Sequence, residues 1–226
     1  MLYNYLIKNL HNYNPYTNFN YNLYIQNPND IQGWHGNDPI FKKLISTIKP
    51  KNILEIGTWK GQSAIHIGKI IKDLGLNTTL LCVDTWLGSV DFIGAENRLD
   101  KERDCLTTFG YPQVYYQFLA NVVHHNLDDI IVPFPQTSSI ALDWLNIHNA
   151  KFDLIYIDGS NNYEDVYTDI KNSWLILEKN GVIFGDDFNN QHHAGVRGAV
   201  LDFCKLYKLT YSEDKKKCFW WIKKNN

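Results

Sequence analysis

The sequence is poor in several things, and each absence excludes a class. No run comes near the ~18 consecutive apolar residues that a membrane-spanning helix needs. Charge of one sign is missing too: 22 Lys and Arg stand against 24 Asp and Glu, a net charge of -2. No overall basic field therefore favours nucleic acid or an anionic membrane as partner. The four cysteines, Cys82, Cys105, Cys204 and Cys218, are scattered, with no C-x-x-C pair and no histidine at zinc-finger spacing. That excludes a disulfide-stapled scaffold and argues against zinc. Cys82 lies in an apolar run and reads as a small core residue; a reduced, cytoplasmic protein is the expectation. The first residues, Met1-Leu-Tyr-Asn-Tyr-Leu-Ile-Lys8, interrupt their apolar positions with Asn and Lys, unlike a secretory leader. Arginine is scarce, 3 against 19 lysines, while asparagine is about 11% of the chain. Lys, Asn and Ile share AT-rich codons, so this bias speaks of the genome rather than of the fold.

What is present suits one α/β domain with decoration. The 226 residues are 44% hydrophobic, enough to fill a core. Residues 1–32 are rich in Tyr and Asn and show neither helical nor strand periodicity. They are read as an arm that packs on the domain, or on a second copy in a homo-oligomer, and residues 33–226 as the domain itself.

From Asp38 the pattern sharpens. Asp38 then Pro39 reads as an N-cap followed by proline at the first helical position, and apolar residues recur at helical spacing up to Pro50. Strands and helices then alternate. Strands are predicted at 53–56, 79–83, 130–132, 152–157 and 181–184. Helices are predicted at 62–74, 98–108, 113–124, 139–148, 163–177 and 196–207. The tail offers a hairpin of 209–212 and 218–222. Apolar strands alternating with helices imply a mostly parallel sheet of seven strands, covered on both faces and closed by an antiparallel pair. Such sheets bind ligands beyond the carboxyl ends of their strands, near the point where strand order reverses. Those ends carry Gly57, Asp84, Pro135–Ser138, Asp158 and Asp186-Asp187.

The loop after the first strand reads Glu55-Ile-Gly57-Thr58-Trp59-Lys60-Gly61-Gln62-Ser63. Gly57 permits a tight turn, and Gly61 lets backbone approach a ligand. A dinucleotide fingerprint wants glycine at 59 and 62, where Trp and Gln stand, which disfavours NAD. The pattern E-x-G-x-x-x-G resembles the first motif of class I S-adenosylmethionine-dependent methyltransferases. Asp84, within Cys82-Val-Asp-Thr-Trp-Leu-Gly-Ser89, matches the acidic residue that binds the ribose in that family. From residue 33 to about 206 the chain is similar to the subgroup that includes metal-dependent sugar and glycan O-methyltransferases. That resemblance implies a Rossmann-like fold and S-adenosyl-L-methionine as cofactor. It implies Glu55, Gly57, Thr58, Gly61, Ser63, Asp84, Thr85, Trp86, Gln136, Ser138 and Asp158 around the cofactor, with Gln136 and Ser138 beside the adenine and Trp86 over one of its faces.

Three carboxylates at neighbouring strand ends, Asp158, Asp186 and Asp187, repel unless protons or a cation neutralise them. Hard oxygen donors favour magnesium, calcium or manganese. The resemblance implies a divalent metal there, usually magnesium, activating a hydroxyl of a small-molecule or glycan acceptor. The other reading of Asp158 is a cap for the helix that begins near Asn161. The subgroup often has I-D-G-S-H after the fourth strand, with histidine as base; here the segment is Ile157-Asp-Gly-Ser-Asn161, and Asn161 cannot take a proton. Asp158, His192 and His193 are the catalytic candidates, the last two also reading as exposed loop histidines. His35, in Gly33-Trp-His-Gly36, is a further residue within reach of substrate. A catechol-like acceptor remains open, with residues 90–117 as the wall that would select it, as does a cofactor-binding pseudoenzyme or interaction module.

Overall fold

The computed structural model describes residues 2–20, 30–88, 107–214 and 216–225. Strands β1 (Asn52–Ile56), β2 (Thr79–Asp84), β5 (Ile131–Pro135), β6 (Phe152–Ile157) and β7 (Leu177–Gly185) are joined by the hairpin β8 (Tyr211–Asp214) and β9 (Phe219–Lys223). They form one seven-stranded sheet in the order β5-β2-β1-β6-β7-β9-β8. The first five are mutually parallel, β9 is antiparallel to β7, and β8 is antiparallel to β9. This is the expected doubly wound arrangement, and strand order reverses between β1 and β6.

Alternation along each strand builds two cores. Ile53, Leu80, Cys82, Leu154, Tyr156 and Phe184 face the helices α2 (Pro39–Ile48), α3 (Gln62–Asp73) and α4 (Val114–His124). Leu54, Leu81, Val132, Ile155, Ile183 and Trp220 face α5 (Ser138–Ile147), α6 (Tyr163–Ile176) and α7 (Ala194–Tyr207). Truncating one such side chain to alanine costs about 2–5 kcal/mol. The expected cap of α2 forms: Asp38 Oδ1 accepts from Ile40 N–H at 2.8 Å. In the tail, Trp220 is buried and Trp221 half-buried, the period-two alternation of a strand.

Some expectations shift. The strand placed at 130–132 runs on through Pro133 and Pro135, which is tolerated because β5 is an edge strand. Helix was expected up to residue 108; instead β3 (Thr107–Thr108) pairs with β4 (Tyr111–Pro112) across Phe109 and Gly110, both with positive φ. The rest of that stretch, 98–106, lies outside the described residues, as do most of the wall assigned to 90–117 and Cys105. Asn162, not Asp158, caps α6, its Oδ1 accepting from Glu164 N–H at 3.1 Å. Thr137 caps α5.

Helix α1 (Leu2–Leu6) continues into a π-helical turn, Ile7–His11. This arm docks beside β5 of its own chain. Leu6 is fully buried, Tyr16 O–H donates to the Ile131 carbonyl at 3.1 Å, and His11 Nε2 meets the Pro133 carbonyl at 2.7 Å.

Candidate active site

Gly57 leaves β1 with φ +83°, and a Cβ there would lie 2.2 Å from the Asp158 carbonyl oxygen. Only glycine lets the end of β1 close against β6 at the reversal point. Gly61, with φ +96°, starts α3; a Cβ there would meet the Phe118 ring at 2.9 Å. In this structure Gly61 makes room for a side chain of α4, where the sequence had suggested a ligand.

Asp84 organises the loops. Its Oδ2 accepts from the Thr58 and Trp59 amides, each at 2.8 Å, and its Oδ1 from the Trp86 amide at 2.7 Å. Trp59 and Trp86 both take left-handed φ, 51° and 52°, which non-glycine residues rarely hold without such support. The Trp86 ring is buried against Tyr115 and Phe118, with centroids 5.0 Å away in each case, and its Nε1 donates to the Trp59 carbonyl at 2.8 Å. It braces the two loops from inside rather than standing open over the cleft.

Glu55 is fully buried beneath the loop. Ser63 Oγ donates to its Oε1, Thr58 Oγ1 to its Oε2 at 3.2 Å, and Cys82 Sγ to Oε2 at 3.3 Å. These donors are all neutral, and burial pushes the Glu55 carboxyl up from 4.5 to about 7 against their pull. Thr85 Oγ1 accepts from the Leu87 amide at 3.2 Å. Gln136 N–H donates to the Asp84 carbonyl at 3.0 Å, which brings the ends of β5 and β2 together. Ser138 turns toward α6, where it bonds the buried Asp169, whose carboxyl burial pushes to about 6.

The three remaining carboxylates lie together but face different partners. Asp158 is exposed at the end of β6, and its Oδ2 accepts from Tyr156 O–H at 2.8 Å. Desolvation by the groups around it, then the charge of Asp186, push its carboxyl well above the usual range. Burial raises Asp186 as well, partly offset by the Asp187 amide and by His35. Asp186 Oδ2 meets His35 Nδ1 at 2.8 Å. Asp187, at φ 62°, turns away toward Asn190 Nδ2 at 2.9 Å and His193 Nδ1 at 2.8 Å. His192 is exposed. Among the described residues no three His, Cys, Asp or Glu side chains converge as a metal-holding group. With each carboxylate engaged by its own donor, this set does not fit a divalent ion as arranged.

Sequence reasoning placed His35 within reach of substrate but missed that residues 30–38 form a strap across these strand ends. Asp30 pairs with the buried Lys60 of the glycine loop at 2.8 Å, and Asp38 with Lys217 of the tail at 2.8 Å. Gly33 and Gly36 lie so close to the start of α3 that a Cβ on either would come within 2.8 Å of Gln62 or Ser63. The visible signal was the G-x-x-G spacing just before the Asp38-Pro39 cap.

A family model described as a methyltransferase domain (Methyltransf_24) matches residues 54–188, from β1 through the loop after β7. The chain belongs to this family. Among solved structures, this methyltransferase domain shares its fold with a Klebsiella pneumoniae protein at TM-score 0.60 and 19% identity, covering 99% of this chain and 96% of that one. It also resembles the O-methyltransferase from Bacillus cereus in complex with SAH, at TM-score 0.56 and 15% identity, with 98% and 96% covered. The O-methyltransferase TomG from Streptomyces achromogenes, in complex with SAM, gives TM-score 0.55 and 14% identity, with 88% and 83% covered. The uncharacterized protein y4gI of Sinorhizobium fredii is 27% identical over 169 residues, 72% of this chain. The methyltransferase chain corresponds to only 16% of the length of y4gI. No helix among the described residues is long and apolar enough to cross a membrane.

Proposed function

We propose that this methyltransferase domain moves the methyl group of S-adenosylmethionine onto a hydroxyl of a sugar or glycan. The observation that carries the reading is the row of polar groups at the strand ends beyond the Gly57 turn: Asp84 closes β2, Asp158 follows β6, and Asp186 follows β7 with His35 bonded to it. O-methyltransferases described with SAM or SAH share this fold, which supports the donor.

When bound, S-adenosylmethionine supplies an electrophilic methyl group. The chain's own residues do the rest. Gly57 lets β1 close against β6 at the reversal point, and Gly159 beside it is exposed. Asp84 fixes the Thr58 and Trp59 amides, so the loop is set before a ligand arrives. A sugar hydroxyl donates a hydrogen bond, and the carboxylates and the imidazole at these strand ends offer it acceptors. A divalent ion has no part in this proposal, because the carboxylates do not converge on one.

Calorimetric titration of S-adenosylmethionine, with NAD as control, tests the donor. SAH release in the presence of methyl α-D-glucopyranoside, methyl α-D-mannopyranoside or catechol tests the acceptor. Donor binding with turnover of a glycoside is expected. Turnover of catechol alone would move the reading to phenolic substrates. Binding without any turnover would leave a cofactor-binding module, and no binding would overturn the donor.

A further inference from the structure

The strap that crosses the strand ends is held more firmly than a loop needs to be. It carries an ion pair at each end, Asp30 with Lys60 and Asp38 with Lys217. In between, the Gly36 amide donates to Gln62 Oε1 at 3.1 Å. At its centre His35 holds φ 53°, a left-handed conformation that residues other than glycine rarely adopt. Backbone strain persists where surrounding structure enforces it, and it clusters at ligand sites. The imidazole is also oriented: Nδ1 sits 2.8 Å from Asp186 Oδ2, and the ring lies edge-on to Phe219 at 6.4 Å. The Asp186 side chain is 4% exposed, whereas that of His35 is 56% exposed.

A carboxylate only accepts, so Nδ1 is the donor of this pair, and in the neutral ring Nε2 is left as an acceptor. Nε2 makes no hydrogen bond among the described residues. The result is a polar atom aimed by a buried partner, open to solvent, on the rim where β6 and β7 end. We propose that His35 is the acceptor-binding residue, receiving the hydrogen bond of the hydroxyl that is methylated and so orienting its oxygen. Asp186 is then the positioning residue behind it. This rests on the hydroxyl-acceptor reading above.

His35→Asn and His35→Gly test it, since Asn tolerates a left-handed backbone and Gly relieves it. Both variants are expected to bind S-adenosylmethionine within about twofold of the wild type, while kcat/KM for the best of the three acceptor probes falls about tenfold or more. A purely structural role predicts the opposite for His35→Gly: strain relieved and turnover kept. Unchanged kcat/KM in His35→Gly overturns the proposal, as does a loss of donor affinity that tracks the loss of turnover. If the wild type binds donor yet methylates none of the three probes, the hydroxyl reading itself fails, and this proposal falls with it.

Discussion

Glu55 offers the sharpest quantitative test of how the loop is built. Its carboxyl is fully buried among neutral donors, and it titrates near 7 instead of 4.5. Asp84 and the Asp158–Tyr156 pair also act on it. The folded chain thus keeps a proton that the unfolded chain releases between pH 4.5 and 7. The sign follows from that difference: the fold is unpenalised below pH 4.5, loses stability as pH rises through that window, and carries the full penalty above 7. At about 1.4 kcal/mol per pH unit the gap is worth about 3 kcal/mol. Glu55→Gln removes the titration while keeping the shape and most of the hydrogen bonding. Any fixed cost of the amide is the same at every pH, and the pH-dependent contribution of Asp169 is common to both proteins and cancels in the comparison. Between pH 5 and pH 8 about 2.5 kcal/mol of that penalty develops, so the Tm of Glu55→Gln relative to the wild type should climb by about 5–10 °C. Calorimetric melts at several pH values read this directly. A difference in Tm that stays flat across the range would show that Glu55 is ionised throughout, and the account of an uncompensated buried carboxyl would be wrong.

Gly57→Ala forces a Cβ against the Asp158 carbonyl at φ +83° and should cost at least about 2 kcal/mol in urea unfolding; a smaller loss would mean the β1–β6 junction yields. Asp84→Asn should weaken S-adenosylmethionine binding at least about tenfold by calorimetry, and unchanged affinity would remove Asp84 from the donor site. Asp30→Asn withdraws a carboxylate from the 2%-exposed Lys60 side chain and should cost about 3 kcal/mol, whereas Lys217→Ala, breaking the pair at the other end of the strap in solvent, should cost under about 1 kcal/mol. Equal losses in the two would contradict the difference in burial.

Much of the fold was legible because its determinants are local. Largely apolar runs of three to six residues marked the parallel strands, Asp38-Pro39 marked a helix start, and the charged tip at 213–217 marked a hairpin. The site was legible as a set of strand ends, since a parallel sheet puts every carboxyl end on one rim. What each side chain does there was not. Trp86 reads as an exposed aromatic until the rings of α4 close over it. Ser138 reads as a cleft residue until α6 brings Asp169 alongside. His35 and Asp186 are 151 positions apart, and nothing local to either announces the other. The histidines just past β7 were the nearer candidates in sequence, yet His192 faces solvent and His193 is tied to Asp187.

The edge of the sheet at β5 has a bearing on how this chain behaves in a crowd. Ile131, Pro133 and Pro135 are the alternate residues whose backbone points away from β2. The Ile131 amide is taken by the Leu127 carbonyl at 2.9 Å, and its carbonyl by Tyr16. Pro133 and Pro135 have no N–H to offer, and the Pro133 carbonyl is taken by His11. A foreign strand sliding alongside would find no ladder to zip into. An open, aromatic-rich sheet is thereby shielded on this flank from edge-to-edge aggregation. The arm's share of the shield is the Ile131 and Pro133 carbonyls, so truncating residues 1–20 should free those two acceptors while the missing and occupied N–H groups of β5 still block a full ladder.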